Sequence, residues 1–257
     1  MYAGLKGGEL ICVILAGGYG KRLWPLTREI AKPLLPVGDR VVLDYIMDRV
    51  LELDEIDRII ISTNLRFEND FRRWMKKYPD APIELSVEPT RREEEKLGAV
   101  KALHVLASKL SSDCLIIAGD NLFTFSLKPM MKRYRELKAP LIAIYDIGSP
   151  ELAKNYGVIE VDSDMRITSF EEKPRDPKGS LVSTGIYIYP RETILMISRY
   201  FEEGGGEDRL GDFVQWLYKQ VPVYGYIVDG EWWDIGTPET YYEVLRKIGE
   251  ACPGPRS

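Results

Sequence analysis

Residues 12–37 read CVILAGGYGKRLWPLTREIAKPLLPV. An apolar run from Cys12 to Leu15 stops at Ala16-Gly17-Gly18-Tyr19-Gly20, the pattern of a buried strand running into a glycine turn. Glycines lack a Cβ, so such a backbone approaches a ligand closely and aims successive N–H groups at it. Lys21 and Arg22 follow at once, and Lys32 sits between Ala31 and Pro33; all three are cations able to neutralise an anion held by those amides. A dinucleotide fingerprint fails here, because Leu23 stands where its last glycine belongs, and a Walker loop fails because Arg22 follows Lys21. A plain structural turn and a phosphate-gripping loop of another kind both remain.

Outward from this loop the chain alternates. Residues 41–53 carry a helical apolar pattern, 56–63 read as a strand, 65–78 as an amphipathic helix and 83–88 as a strand. Residues 90–96, TRREEEK, read mostly as a solvated charge run. Residues 97–110 read as a helix and 114–120 as a buried strand ending at Asp120. Strand and helix in turn predict a parallel, doubly wound sheet whose ligands sit at the carboxyl ends of the strands. Both the glycine loop and Asp120 fall at such ends. An acid there is placed to hold Mg²⁺ against phosphate oxygens. The second half is strand-rich, with strands at 141–147, 156–162, 166–172, 180–190, 221–228 and 231–235 and helices near 191–200, 209–219 and 238–251.

Composition bounds the rest. The 257 residues are 45% hydrophobic and 29% charged, as in ordinary globular proteins. A net charge of −5 gives no electrostatic reason to expect nucleic acid or an anionic membrane as partner. No run approaches the ~18 apolar residues of a membrane span. The first ten residues, MYAGLKGGEL, carry no secretory h-region. Cys12, Cys114 and Cys252 have no metal spacing, and Cys12 and Cys114 lie in expected core strands. Together these features favour a cytoplasmic location. The single histidine, His104, lies on a helix flank and reads as structural, so no Ser-His-Asp or Cys-His arrangement is available. The terminal CPGPRS reads as frayed.

The whole pattern LAGGxGxRLxPLTxxxxKPLLPV resembles the signature of the sugar nucleotidyltransferases, the NDP-sugar pyrophosphorylases, and matching segments extend over about residues 10 to 248. The resemblance implies a Rossmann-like three-layer α/β/α fold with a mixed, mostly parallel central sheet. It implies one domain over 1–257, with a nucleotide-binding half at about 10–120 and a sugar-binding half at about 121–250. Leu15, Ala16, Gly17, Gly18, Gly20, Lys21 and Arg22 would embrace the nucleotide, with Gly98 of the LGAVKAL segment facing the base. Some relatives read the base with a Gln before that segment; the nearest residues here are Glu88 or an acid among Glu93–Glu95. A carboxylate accepts from guanine N1 and N2, but has to be protonated to donate to a pyrimidine carbonyl.

In the same family, the Gly119-Asp120-Asn121 step and the Trp232-Trp233-Asp234-Ile235-Gly236-Thr237-Pro238 motif supply Asp120 and Asp234 as a Mg²⁺-binding pair. Trp232 and Trp233 read equally well as core. Tyr156-Gly157, Phe170-Glu171-Glu172-Lys173-Pro174, Thr184-Gly185 and Asn121 would face the sugar phosphate, Glu172 accepting from hydroxyls and Lys173 binding phosphate. Some relatives place an Arg before a Gly-Glu near Gly206-Glu207, where this chain has Gly205.

The implied activity is Mg²⁺-dependent formation of NDP-sugar and pyrophosphate from a nucleoside triphosphate and a sugar 1-phosphate, with Arg22, Lys32 and Lys173 as catalytic cations. Glucose 1-phosphate with dTTP is the default pair. UTP, or GTP with mannose 1-phosphate, is the alternative, as is a non-catalytic nucleotide- or sugar-sensing homologue. The chain stops after its last helix, so no left-handed β-helix tail is expected. A homo-oligomer is left open.

Overall fold

Cys12 and Ile14 point to one side of the first strand, Ile11 and Val13 to the other, and all four are buried. A strand apolar on both faces belongs in the middle of a parallel sheet covered on both sides. The computed structural model describes residues 10–251; the expectations for residues 1–9, for Cys252 and for the terminal CPGPRS lie outside them.

The first half contains β1 (Leu10–Leu15), β2 (Pro36–Val37), β3 (Arg40–Val41), α1 (Val42–Leu51), β4 (Ile56–Asn64), α2 (Glu68–Met75), β5 (Ile83–Glu88), α3 (Ala99–Leu106) and β6 (Asp113–Ala118). There follow β7 (Asn121–Phe123), α4 (Lys128–Leu137), β8 (Leu141–Asp146), α5 (Pro150–Ala153), β9 (Gly157–Val161), β10 (Ile167–Glu172) and β11 (Leu181–Tyr189). The chain closes with α6 (Arg191–Glu202), α7 (Leu210–Leu217), β12 (Tyr224–Ile227), β13 (Trp232–Asp234) and α8 (Pro238–Ala251).

The main sheet runs β10-β9-β11-β6-β1-β4-β5, with β8 on β11 and β12 on β8. β1 pairs in parallel with β4 on one side and β6 on the other. β11 is antiparallel to β6, so the sheet is mixed, and the two halves of the chain share it. One face is covered by α1, α2 and α4 through Leu43, Ile46, Phe71, Trp74 and Tyr134. The other is covered by α3, α6 and α7 through Leu103, Ile194, Ile197, Phe213 and Leu217. This is the three-layer α/β/α arrangement expected. Truncating a fully buried sheet residue such as Ile117 to alanine would cost about 2–5 kcal/mol.

The chain leaves β1 toward β4 and β5, then crosses back to enter β6 on the opposite side of β1. The strand order reverses there, which opens a crevice at the carboxyl ends of β1 and β6. A smaller apolar cluster lies beside it: Leu23, Leu35, Val37 and Val42 meet Leu122, Trp233, Ile235, Tyr241 and Val244. It ties the opening loop to the two-stranded ribbon of β7 and β13 and to α8.

Five elements carry no expectation from the apolar pattern: β2, β3, β7, α4 and α5. α4 has few apolar positions, Met130, Met131 and Tyr134 being its buried ones, too few for a clear helical stripe. The helix expected at 65–78 is confined to Glu68–Met75, and that at 97–110 ends in a 3₁₀ turn at Ala107–Lys109. His104 packs between helices, its Nε2 3.1 Å from Ser198 Oγ and its ring edge-on to Phe201. Cys12 and Cys114 are buried free thiols. No helix among the described residues is long and apolar enough to cross a membrane.

Candidate active site

The crevice holds a cavity of about 240 Å³ lined by Leu15, Ala16, Gly17, Gly18, Lys32, Glu88, Gly98 and Asp120, together with Ser62, Lys96, Ala99, Ala102, Asp208 and Leu210, among others. The glycine loop that forms its rim is braced from several sides. Asn64 Nδ2 donates to Gly17 O at 3.0 Å, Thr27 Oγ1 to Gly20 O at 2.7 Å, and Tyr19 OH to Thr90 Oγ1 at 3.1 Å. The first two bonds consume loop carbonyls, and Gly18 stays open, with nothing near where its side chain would stand. Glu88 closes the other wall, 8% exposed. Burial pushes its carboxyl up, against a hydrogen bond from the Leu97 N–H.

Gly20, Lys21 and Arg22 are not among the residues lining this cavity. Lys21 reaches sideways to Glu94, 2.6 Å away. Arg22 lies against Gly236, its Nη2 3.3 Å from where a Cβ would stand, a spot also 3.3 Å from Asp234 Oδ2.

Asp120 and Asp234 are brought together by the ribbon. β13 pairs with β7 so that Asp234 is opposite Asn121 and Trp233 opposite Leu122. Lys32 Nζ sits 2.6 Å from Asp120 Oδ2. Burial raises the Asp120 carboxyl, but the charge and hydrogen bond of Lys32, with Arg22 behind, hold it below its ordinary value. Asp234 goes the other way. Burial, and next the charge of Asp120, push it up to about 6 against the pull of Lys32, Arg22 and Lys173. Two carboxylates too close to ionise freely is the expected result of such a pair.

Most of the residues expected to face the sugar phosphate are linked by contacts with one another. Trp232 Nε1 donates to Asn121 Oδ1 at 3.1 Å, and the Tyr156 ring meets the Trp232 ring edge-on at 5.2 Å. Both tryptophans are packed, 6% and 9% exposed, so their role is to hold Asn121 and Leu122 in place. Lys173 has a left-handed φ of 49°, and its N–H donates to Tyr156 O at 3.0 Å. A lysine in that conformation is strained, and its charge acts on Asp234. Glu172 packs against Gly157 and so close to Gly211 that a Cβ there would overlap its carboxylate. Burial pushes the Glu172 carboxyl up, against the nearby charges of Lys173 and Arg209. Thr184 turns its hydroxyl into the sheet, onto Ala143 O at 2.9 Å, and Gly185 packs against Asn121 and Ala118.

A segment of the second half closes the nucleotide side. The amide groups of Ala99, Val100 and Lys101, at the start of α3, donate to the carbonyl oxygens of Asp208 and Glu207. Lys96 pairs with Asp208 at 3.1 Å and with Glu93 at 3.3 Å, and Lys101 with Glu207 at 3.1 Å. Gly98 makes the join: its φ is +86°, and a Cβ would stand 2.5 Å from Glu207 O. Lys96, Asp208, Ser62 and Gly211 have no place in the reading of the sequence. For Lys96 the only available signal is its position beside Leu97-Gly98. Glu93–Glu95 form a 3₁₀ turn that, in the otherwise solvated run 90–96, gives the cavity rim partners for Lys21 and Lys96.

A family model described as nucleotidyl transferase matches residues 11–251. A D-glycero-alpha-D-manno-heptose 1-phosphate guanylyltransferase of Aneurinibacillus thermoaerophilus is 30% identical over 92% of this chain and 97% of its own length. The bifunctional protein GlmU of Methanocaldococcus jannaschii is 28% identical over 92% of this chain but only 53% of its own length, so the chain spans about half of that relative. Among solved structures, a Bacillus anthracis protein assigned as a glucose-1-phosphate thymidylyltransferase superposes with a TM-score of 0.81 at 25% identity, covering 93% of this chain and 94% of the other.

Proposed function

The chain belongs to the nucleotidyl transferase family, and from that premise we propose that it joins a nucleoside triphosphate to a sugar 1-phosphate, releasing pyrophosphate. The observation that carries this reading is the convergence of Lys32, Arg22, Asp120 and Asp234 at one side of the glycine-rimmed cavity. Relatives with such names support it. In the proposed reaction a phosphate oxygen of the sugar 1-phosphate attacks the α-phosphorus, a new P–O bond forms, and the bond from the α-phosphorus to the bridging oxygen breaks. The pyrophosphate leaves with that electron pair. The nucleophile is already an anion, so no side chain has to take a proton from it. The loop amides around Gly18 hold the triphosphate, Lys32 and Arg22 offset the charge that builds on it, and Lys173 brings the sugar phosphate into line. Glu172 holds sugar hydroxyls. Glucose 1-phosphate is the default sugar.

Mg²⁺ belongs to the same proposal. Asp120 and Asp234 are hard oxygen donors, and the upward push on Asp234 marks a pair that a divalent cation would relieve. Such a cation takes one or two carboxylates and completes its shell with phosphate oxygens and water. Bound there, it would neutralise phosphate charge. The test is pyrophosphate release with GTP, dTTP, UTP, ATP and CTP against a panel of sugar 1-phosphates, with Mg²⁺ and with chelator. Release that needs both substrates is the expected result; no release in any combination overturns the reading.

A further inference from the structure

Resting on the reading just given, we propose that the base pocket selects guanine, with the Glu88 carboxylate and the Lys96 ammonium as the reading groups, and that thymine and uracil are disfavoured. Glu88 ends β5 and lines the cavity, as does Lys96. The carboxylate lies along the backbone of Gly17: a Cβ there would stand 2.8 Å from Oε1 and 3.4 Å from Oε2. It accepts a hydrogen bond from the Leu97 N–H, one of about four that a carboxylate can take. Among the described residues no Lys or Arg forms an ion pair with it.

The other acids in this stretch are engaged elsewhere. Glu94 holds Lys21 at 2.6 Å, Glu95 accepts from the Arg91 N–H at 2.9 Å, and Glu93 pairs with Lys96 at 3.3 Å. None of the three lines the cavity. Asp120 is held by Lys32 on the phosphate side. Asp208, the remaining acid of the wall, is tied to Lys96; with Glu93 and Asp208 as partners, the Lys96 ammonium keeps the third of its three N–H donors for a base. Glu88 is therefore the acceptor left for a base, beside the small residues Gly98, Ala99 and Ala102.

The chemistry of the base edges then decides. Along its Watson–Crick edge guanine presents an acceptor, O6, followed by two donors, N1–H and N2–H. A carboxylate takes both donors, and an ammonium, donor only, takes O6. Uracil and thymine present acceptor, donor, acceptor, so the second carboxylate oxygen faces a carbonyl. Adenine and cytosine put a ring-nitrogen lone pair against the carboxylate. Only guanine leaves no like-polarity contact.

The experiment has two arms on the full chain. One measures kcat/KM for GTP, dTTP, UTP, ATP and CTP with a fixed sugar 1-phosphate. The other measures binding of the same nucleotides by calorimetry without sugar phosphate. GTP is expected to lead dTTP and UTP by about tenfold or more in both arms, the size of a matched bidentate contact against the wrong base. Glu88→Gln trades an acceptor for a donor that suits a pyrimidine carbonyl, and should shrink that lead by about tenfold. Wild-type protein that binds dTTP or UTP as tightly as GTP overturns the proposal, as does an unchanged ratio in a folded Glu88→Gln. If no nucleotide is turned over, the catalytic reading fails while the binding series still decides the base.

Discussion

Ile235 donates its backbone N–H to the carbonyl oxygen of Asp120 at 2.9 Å. Because the adjoining strands pair Asp234 with Asn121, this one bond fixes the spacing of two carboxylates that belong to opposite halves of the chain. The ribbon is short, but it is anchored by buried Leu122 and Trp233, so Asp234 stands on a packed element and Asp120 at the turn that leads into it.

Asp120→Asn and Asp234→Asn should each lower turnover by about a hundredfold or more at saturating Mg²⁺, since charge stabilisation by a metal is worth several kcal/mol. Steady-state rates with circular dichroism as the folding control decide it. Turnover near wild type in both variants would remove the acids from the chemistry.

Arg22 is exposed and its charge acts on Asp120 and Asp234. Arg22→Ala should therefore cost rate and leave stability within about 0.5 kcal/mol. Parallel denaturant melts and initial rates test this. A loss of stability in proportion to the loss of rate would make Arg22 a structural residue.

Lys173→Ala should raise KM for sugar 1-phosphate about ten- to a hundredfold, the worth of a charge-assisted hydrogen bond, with little change for the nucleotide. Gly211→Ala should move in the same direction, because its methyl group has to displace the Glu172 carboxylate. Paired saturation curves read both. A rise confined to the nucleotide in either variant would reverse the assignment of the two sides of the site.

Stability at acid pH has a separate source. Asp44 is buried and accepts from Val41 N at 3.0 Å, Trp74 Nε1 at 2.7 Å and Tyr78 OH at 3.0 Å. Burial raises its carboxyl, but these donors together with Lys77 hold it below the ordinary value. The folded carboxyl thus titrates below the unfolded one, at about 4. Its contribution is full above that pH and is lost as pH falls through the folded value. Asp44→Asn should cost about 3 kcal/mol at neutral pH and flatten the acid limb of the stability curve. Urea melts between neutral and acid pH check it; an acid limb as steep as wild type would assign the effect to other groups.

What could be read from the chain and what could not divide along sequence separation. The glycine loop and β1 declare themselves because the strand, its end and its turn are contiguous, and the period of burial is local. The α/β order was legible for the same reason. The Glu88 wall needed the fold to single it out from Glu93–Glu95, since all four acids lie within a few residues and only their directions differ. Pairings such as Lys96 with Asp208, or Glu172 with Gly211, join distant segments and leave no periodic trace. α4 escaped because its inner face is only three side chains wide.

The order in which a ribosome delivers this chain adds a last consequence. Glycine loop, Lys32 and Asp120 all emerge early, but the strand bearing Asp234 is made near the end of the 257 residues. Until it arrives, β7 has no partner and Leu122 has no tryptophan to cover it. The lining of the cavity is complete only once Asp208 and Leu210 have emerged, and Asp234 joins Asp120 in the step after that, when β13 docks on β7.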